Sequence, residues 1–266
     1  MKKITALVFI CSAAVAASAA DGSKGKVLVV MSGADHITLK DGKQHKTGYF
    51  LSELAGPAQA LEAAGYELVF ANPTGAEPAM DKSSDSAQWF ASEQEYQQAK
   101  NFASSSAGLK QPRRLGSFTK AEAEKFKAMF VPGGHAPMED LARDKDMGRL
   151  LKLFHKAGKP TALICHGPAA LLSSVGGGTW IYGGYKMAVF SNDEEKQAES
   201  GGGLEGEVPY YPAQALAGAG GLVDAGAPWT SHAVRDRELV TAQNPQSERQ
   251  FTALLLQALA GMRSIF

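Results

Sequence analysis

Four apolar runs, each stopped by a turn-forming segment, constrain this chain more than any other feature. Lys26–Met31 ends at Ser32-Gly33, Tyr66–Ala71 at Asn72-Pro73, Ala128–Val131 at Pro132-Gly133-Gly134, and Pro160–Ile164 at Cys165-His166-Gly167-Pro168. Runs this short and this continuously apolar read as strands buried on both faces, the pattern of a parallel sheet rather than of an antiparallel one with a wet side. Helical spacing separates them. Tyr49–Ala64 ends at Gly65, Asp140–Ala157 ends at Gly158, and a helix from Ala169 to about Val175 follows the cysteine. Thr119 with Glu122 forms a capping box for a short helix. A strand near Met187–Phe190, another at Glu238–Thr241 and a closing helix over Ser247–Met262 complete the alternation. The expected fold is α/β, a mostly parallel sheet sandwiched by helices on both faces. Residues 74–118 break the rhythm: they are polar, carry one helix over Ala87–Phe102, and read as an inserted excursion over the surface.

The chain begins with a different kind of segment. Lys2-Lys3, an apolar stretch over Ile4–Ala17 and Ala17-Ser18-Ala19 have the layout of a cleavable signal peptide over residues 1–20, with Ser18-Ala19-Ala20 as the neighbouring cleavage option. The apolar run is shorter than the ~20 residues of a membrane span. Cys11 follows Ile10, where a lipoprotein signal needs a small residue. This predicts an exported, periplasmic protein with no membrane attachment after processing, its domain spanning residues 21–266. Lysine plus arginine equals aspartate plus glutamate over the whole chain, and losing Lys2 and Lys3 leaves a slight acidic excess. A phosphate-binding surface needs the opposite balance, so nucleic acid is not an expected partner.

Of two cysteines, Cys11 leaves with the signal, so Cys165 stands alone in a mature protein bound for an oxidising compartment. Its setting argues for reactivity. The strand runs directly into it, and the small residues Gly167-Pro168-Ala169-Ala170 open the next helix, allowing a tight strand-to-helix elbow. Helix N–H groups beside the sulfur are expected to favour thiolate, the nucleophilic form. Gly133-Gly134-His135 ends a neighbouring strand, and ligands of open α/β sheets sit beyond such ends. The free N–H groups of Gly134 and His135 are therefore candidates for an oxyanion hole. His36, His45, His155 and His232 show no metal-ligand spacing, and no metal or other cofactor is expected.

These motifs resemble the DJ-1/PfpI superfamily, whose sheet is flavodoxin-like, and within it the Hsp31-like branch of glutathione-independent glyoxalases and chaperones. The resemblance rests on Val131-Pro132-Gly133-Gly134-His135, Ile164-Cys165-His166-Gly167-Pro168, Phe190–Glu195, Trp229 and Leu239–Pro245 with Ser247. Thr47–Pro57, containing Glu53, and Ala71–Gly75 with Asp81 and Ser83 extend it over nearly the whole mature chain. Two positions depart from the branch, Ala136 and Ala242, where glycine is usual.

The resemblance implies Cys165 as nucleophile, His166 as its partner, Glu195 (or the adjacent Glu194) as the acid orienting that histidine, and Glu53 as a protonated carboxyl against the sulfur. It further implies a cofactor-free glyoxalase III-type lyase of the D-lactate dehydratase class. That enzyme would turn small reactive aldehydes such as methylglyoxal into hydroxy acids through a cysteine hemithioacetal, and the protein would be a homodimer. A holdase chaperone or redox sensor using Cys165 is the alternative, and a cysteine peptidase or amidase the third reading.

Overall fold

The computed structural model describes residues 23–201 and 203–261; the expected signal segment, and the expected end of the closing helix at Met262, lie outside the described residues. Seven strands form one sheet: β1 (Lys26–Val30), β2 (Glu67–Asn72), β3 (Arg113–Arg114), β4 (Phe126–Val131), β5 (Thr161–Ile164), β6 (Ala233–Asp236) and β7 (Leu239–Ala242). Their order is β6-β7-β5-β4-β1-β2-β3. All neighbours are parallel except β6, which returns antiparallel on β7.

Alternation along each strand divides the core into two layers. Val27, Val29, Phe130, Ile164 and Val240 face helices α1 (Leu51–Ala63), α2 (Glu93–Ser105) and α5 (Glu248–Gly261), meeting Leu54, Phe102, Phe251 and Leu255. Leu28, Val30, Met129, Val131 and Leu163 face the other way, onto Leu150, Leu151 and Phe154 of α3 (Lys145–Lys156). Each such side chain, fully buried, stabilises the fold by about 1.5–3 kcal/mol. Both faces are covered, as a parallel sheet requires. No helix among the described residues is long and apolar enough to cross a membrane.

From β1 the chain steps outward to β2, then returns to place β4 on the other side of β1. The carboxyl ends of β4 and β5 beside this reversal carry the Gly133-Gly134 turn and Cys165.

Several expected elements are corrected. The helix after the cysteine is a 3₁₀-helix, Gly167–Ser174, rather than an α-helix over 169–175. Two contacts explain the tighter winding. Ser173 and Ser174 hydroxyls donate back three residues, to the Ala170 and Leu171 carbonyls, and α3 presses so close that a Cβ on Gly148 would lie 2.2 Å from the Ser173 carbonyl oxygen. The excursion contains more than one helix: a 3₁₀ turn at Ala87–Trp89, then α2, then Arg113–Arg114, which joins the sheet as its edge strand. Asp140 does not start α3; its carboxylate accepts from Ser32 Oγ, Gly33 N and Leu141 N, and Asp144 is the N-cap instead. The strand near 187–190 is only Lys186–Met187, paired with Leu222–Val223 outside the main sheet.

Candidate active site

Cys165 occupies the left-handed region, with φ of 61°. A non-glycine residue there costs of the order of 1–3 kcal/mol and persists only where its surroundings fix it. Here they do: the Cys165 N–H donates to Ala242 O at 2.9 Å, and Phe190 N–H donates to Cys165 O at 3.0 Å. The elbow turns the side chain off the strand end and toward His166. Sγ lies 3.2 Å from Nδ1 of that ring, and Nε2 lies 2.8 Å from Glu195 Oε2. All three residues are buried.

Glu195 reaches this position from the first turn of helix α4 (Asn192–Ser200), whose N-terminus is fixed by a capping box between Ser191 and Glu194. The two adjacent glutamates are thereby separated. Glu194 points away from His166: Oε2 accepts from Ser191 N and Oγ, and Oε1 accepts from Trp229 N at 2.8 Å and Asn244 Nδ2 at 2.7 Å. Of the two candidate acids, only Glu195 touches the histidine.

Glu195 also does something the sequence did not suggest. Its Oε1 is 2.9 Å from Nε2 of His135, whose ring lies against that of His166 with centroids 3.9 Å apart. Reading His135 only as a backbone N–H overlooked this, because nothing in a Gly-Gly-His turn indicates which carboxylate will meet the imidazole.

One carboxylate between two rings splits their titration. Burial opposes charge on His135, but Glu195 outweighs it and its pKa is raised. Burial and the adjacent His135 lower that of His166 despite Glu195. Burial works against ionisation of Glu195 too, yet the two histidines hold it well below the usual carboxylate range. A neutral His166 that donates from Nε2 to Glu195 leaves the Nδ1 lone pair for the thiol proton.

Glu53 enters from the first turn of α1 and is fully buried; its Oε2 accepts from Gly133 N at 3.1 Å. Burial pushes its pKa up to about 8, against the pull of hydrogen bonds from Cys165 and Gly133, so it holds its proton at neutral pH. Burial and the facing Glu53 push the Cys165 thiol up as well, while the Gly134 N–H directed at the sulfur pulls it down. The expectation that the elbow favours thiolate is thus corrected: burial and the facing Glu53 outweigh the Gly134 N–H. Gly134 (φ 88°) can be only a glycine, since a Cβ would fall 2.0 Å from Gly48 O.

The cysteine opens into a cavity of about 250 Å³. Phe50 and, from the excursion, Asp81, Ser83 and Trp89 line it, together with Phe190, Gln197 and Trp229. The ligating atoms of His135, His166 and Glu195 lie within 4.8 Å of one another, a donor set able to hold a divalent cation. The sequence spacing concealed this set because its members come from the turns after β4 and β5 and from α4.

The DJ-1/PfpI family model matches residues 46–258, and the chain belongs to this family. The protein/nucleic acid deglycase HchA of Staphylococcus aureus is 26% identical over 242 residues, covering 89% of this chain and 80% of the relative. Among solved structures, glyoxalase III of Candida albicans superposes with a TM-score of 0.71 at 23% identity, covering 88% of this chain and 97% of the other. The Rapid Encystment Protein of Francisella tularensis gives 0.71 at 24%, covering 88% and 99%. The HchA relative supports the Hsp31-like branch within this family, and the two solved structures share the expected fold.

Proposed function

We propose that this DJ-1/PfpI chain is a glutathione-independent glyoxalase-type enzyme that converts 2-oxoaldehydes to 2-hydroxy acids. One observation carries the reading: a buried thiol 3.2 Å from a histidine that is itself held 2.8 Å from a carboxylate, lining a cavity of about 250 Å³. The curated HchA relatives, named as deglycases, support chemistry on reactive carbonyls.

In the proposed sequence, Cys165 adds to the aldehyde carbon as its proton passes to His166 Nδ1, giving a hemithioacetal. Glu195 stabilises the imidazolium. The Gly134 N–H, with that of His166, stabilises the alkoxide. His135, the more basic ring, donates to the neighbouring ketone oxygen. His166, after returning its first proton to the alkoxide, takes the C1 hydrogen as a proton and delivers it to C2, while the former ketone oxygen takes a proton from His135 and the C1 hydroxyl gives one back to it, so that the hemithioacetal becomes a 2-hydroxy thioester. Water hydrolyses the thioester, releasing the hydroxy acid and the thiol; the net reaction adds one water to the oxoaldehyde. Protonated Glu53 donates to the sulfur whenever it carries charge.

A peptidase needs a groove for an extended chain, and here the cysteine is buried in a cavity of about 250 Å³ that the excursion helps to line. A holdase needs a broad apolar face; the large apolar side chains exposed among the described residues are Val175, Leu222 and Trp229. Turnover of methylglyoxal by metal- and thiol-free protein tests the proposal. Lactate is expected from the wild type and not from Cys165→Ala. Equal lactate from both would exclude the cysteine mechanism, and none from a wild type with a reactive thiol would exclude the activity.

A further inference from the structure

The cavity is larger and more aromatic than a three-carbon substrate needs. A water molecule's share of liquid volume is ~30 Å³, so a five-heavy-atom oxoaldehyde displaces only two or three waters' worth of space. Most of the 250 Å³ would then hold water against apolar walls. Those walls are two aromatic pairs. Phe50 and Trp89 meet edge to face at 5.1 Å, Phe190 and Trp229 at 5.5 Å, and all four line the cavity.

Both indoles are fixed before any ligand arrives. Trp89 Nε1 donates to Ser83 O at 2.9 Å and Trp229 Nε1 to Gln197 Oε1 at 2.7 Å, so the polar edge of each ring is already engaged. Trp229 is held harder still: it sits at φ 57°, in the left-handed region, with its N–H on the buried Glu194. Prearranged aromatic surface favours flat apolar groups at low ordering cost. No lysine or arginine lines the cavity among the described residues, and the acidic groups at it are Asp81 and, behind the two histidines, Glu195. An anionic substituent would find no counter-charge there.

Resting on the glyoxalase reading, we infer that the preferred substrates are 2-oxoaldehydes bearing a neutral, planar apolar substituent, held between Trp89 and Trp229. Phenylglyoxal is the probe, and mandelate its product by the same addition of water. A well-filled apolar pocket separates substrates by about tenfold or more per added group. The wild type should therefore show kcat/KM for phenylglyoxal at least ~10-fold above methylglyoxal. 4-Carboxyphenylglyoxal should lose most of that gain. In Trp89→Ala and Trp229→Ala, with folding checked by circular dichroism, the phenylglyoxal-to-methylglyoxal ratio should fall several-fold. A wild-type ratio at or below one, or a ratio unmoved in both variants, overturns the inference. A second readout does not depend on turnover: protection of Cys165 from iodoacetamide, followed by mass spectrometry. Acetophenone should slow alkylation in the wild type and much less in Trp229→Ala, while benzoate should not. If neither oxoaldehyde is consumed the glyoxalase reading fails alone, and absence of acetophenone protection then overturns the inference separately.

Discussion

Gly133 sits where the cysteine, the buried glutamate and the strand end converge, and replacing it with alanine tests whether that convergence carries the chemistry. A Cβ at this position would lie 2.5 Å from Cys165 Cβ, 2.5 Å from Glu53 Oε2 and 2.7 Å from Ile164 O. Ordinary carbon contacts need ~3.5 Å or more, so roughly 1 Å must be recovered on several sides at once. Little relief is available: Cys165 is fixed at both backbone groups, Ile164 is within β5, and the end of the Glu53 side chain is fully buried with Oε2 accepting from Gly133 N. Overpacking of this kind costs about 1–3 kcal/mol, which in a domain this size lowers Tm by roughly 3–10 °C. The larger effect is on geometry. A displacement of ~1 Å between reacting groups costs about 100-fold in rate. Gly133→Ala should therefore lose about two orders of magnitude in kcat/KM for methylglyoxal, measured as lactate formation beside a thermal melt. Gly218→Ala is the control: nothing lies within 4 Å of its added Cβ and helical alanine is favoured over glycine, so its rate should match the wild type and its melt should not fall. Wild-type turnover by Gly133→Ala would refute the claim that Glu53, Cys165 and the turn act as one unit.

Other substitutions separate the roles of the carboxyls. Glu195→Gln removes the charge between His135 and His166 and should cut kcat by ~100-fold or more. Glu194→Gln leaves that pair alone but turns an NH₂ toward N–H or hydroxyl donors, costing about 1–3 kcal/mol of stability; urea melts and kinetics on both variants should show this crossed pattern, and two alike would contradict it. Because Glu53 keeps its proton up to about pH 8 in the folded state and loses it near 4.5 when unfolded, wild-type stability should decline as pH rises between those values. Glu53→Gln should flatten that decline, so urea midpoints differing by a constant amount from pH 5 to 8 would count against a protonated Glu53. Zn²⁺ at micromolar levels should inhibit by occupying His135, His166 and Glu195, with full recovery on chelation; inhibition unaltered in Glu195→Gln would place the metal elsewhere.

The strands and helices that build the core were legible because burial on both faces writes long apolar runs, and glycine or proline marks their ends. Less legible were the elements whose identity depends on a partner. Ala233–Asp236 becomes a strand only because β7 lies beside it, its side chains being mostly half-buried, and Arg113–Arg114 joins the sheet because Ala71 and Asn72 offer an edge. The site divides in the same way. Cys165 announced itself through local chain geometry, since a strand running into Cys-His-Gly-Pro allows few turns. The choice between Glu194 and Glu195 was open to a register of one residue, and only the capping box turns one inward to the two histidines and the other back toward Trp229. The His135 ring and the Trp89 wall had no local signature at all, because each gains meaning from a residue at least 39 positions away in the chain: Glu195 for the first, Phe50 for the second. What a sequence hides most effectively here is therefore the part that selects the substrate: the attacking group is built within one turn, whereas the walls that enclose it are assembled from the excursion, the start of α1 and the loop that carries Trp229.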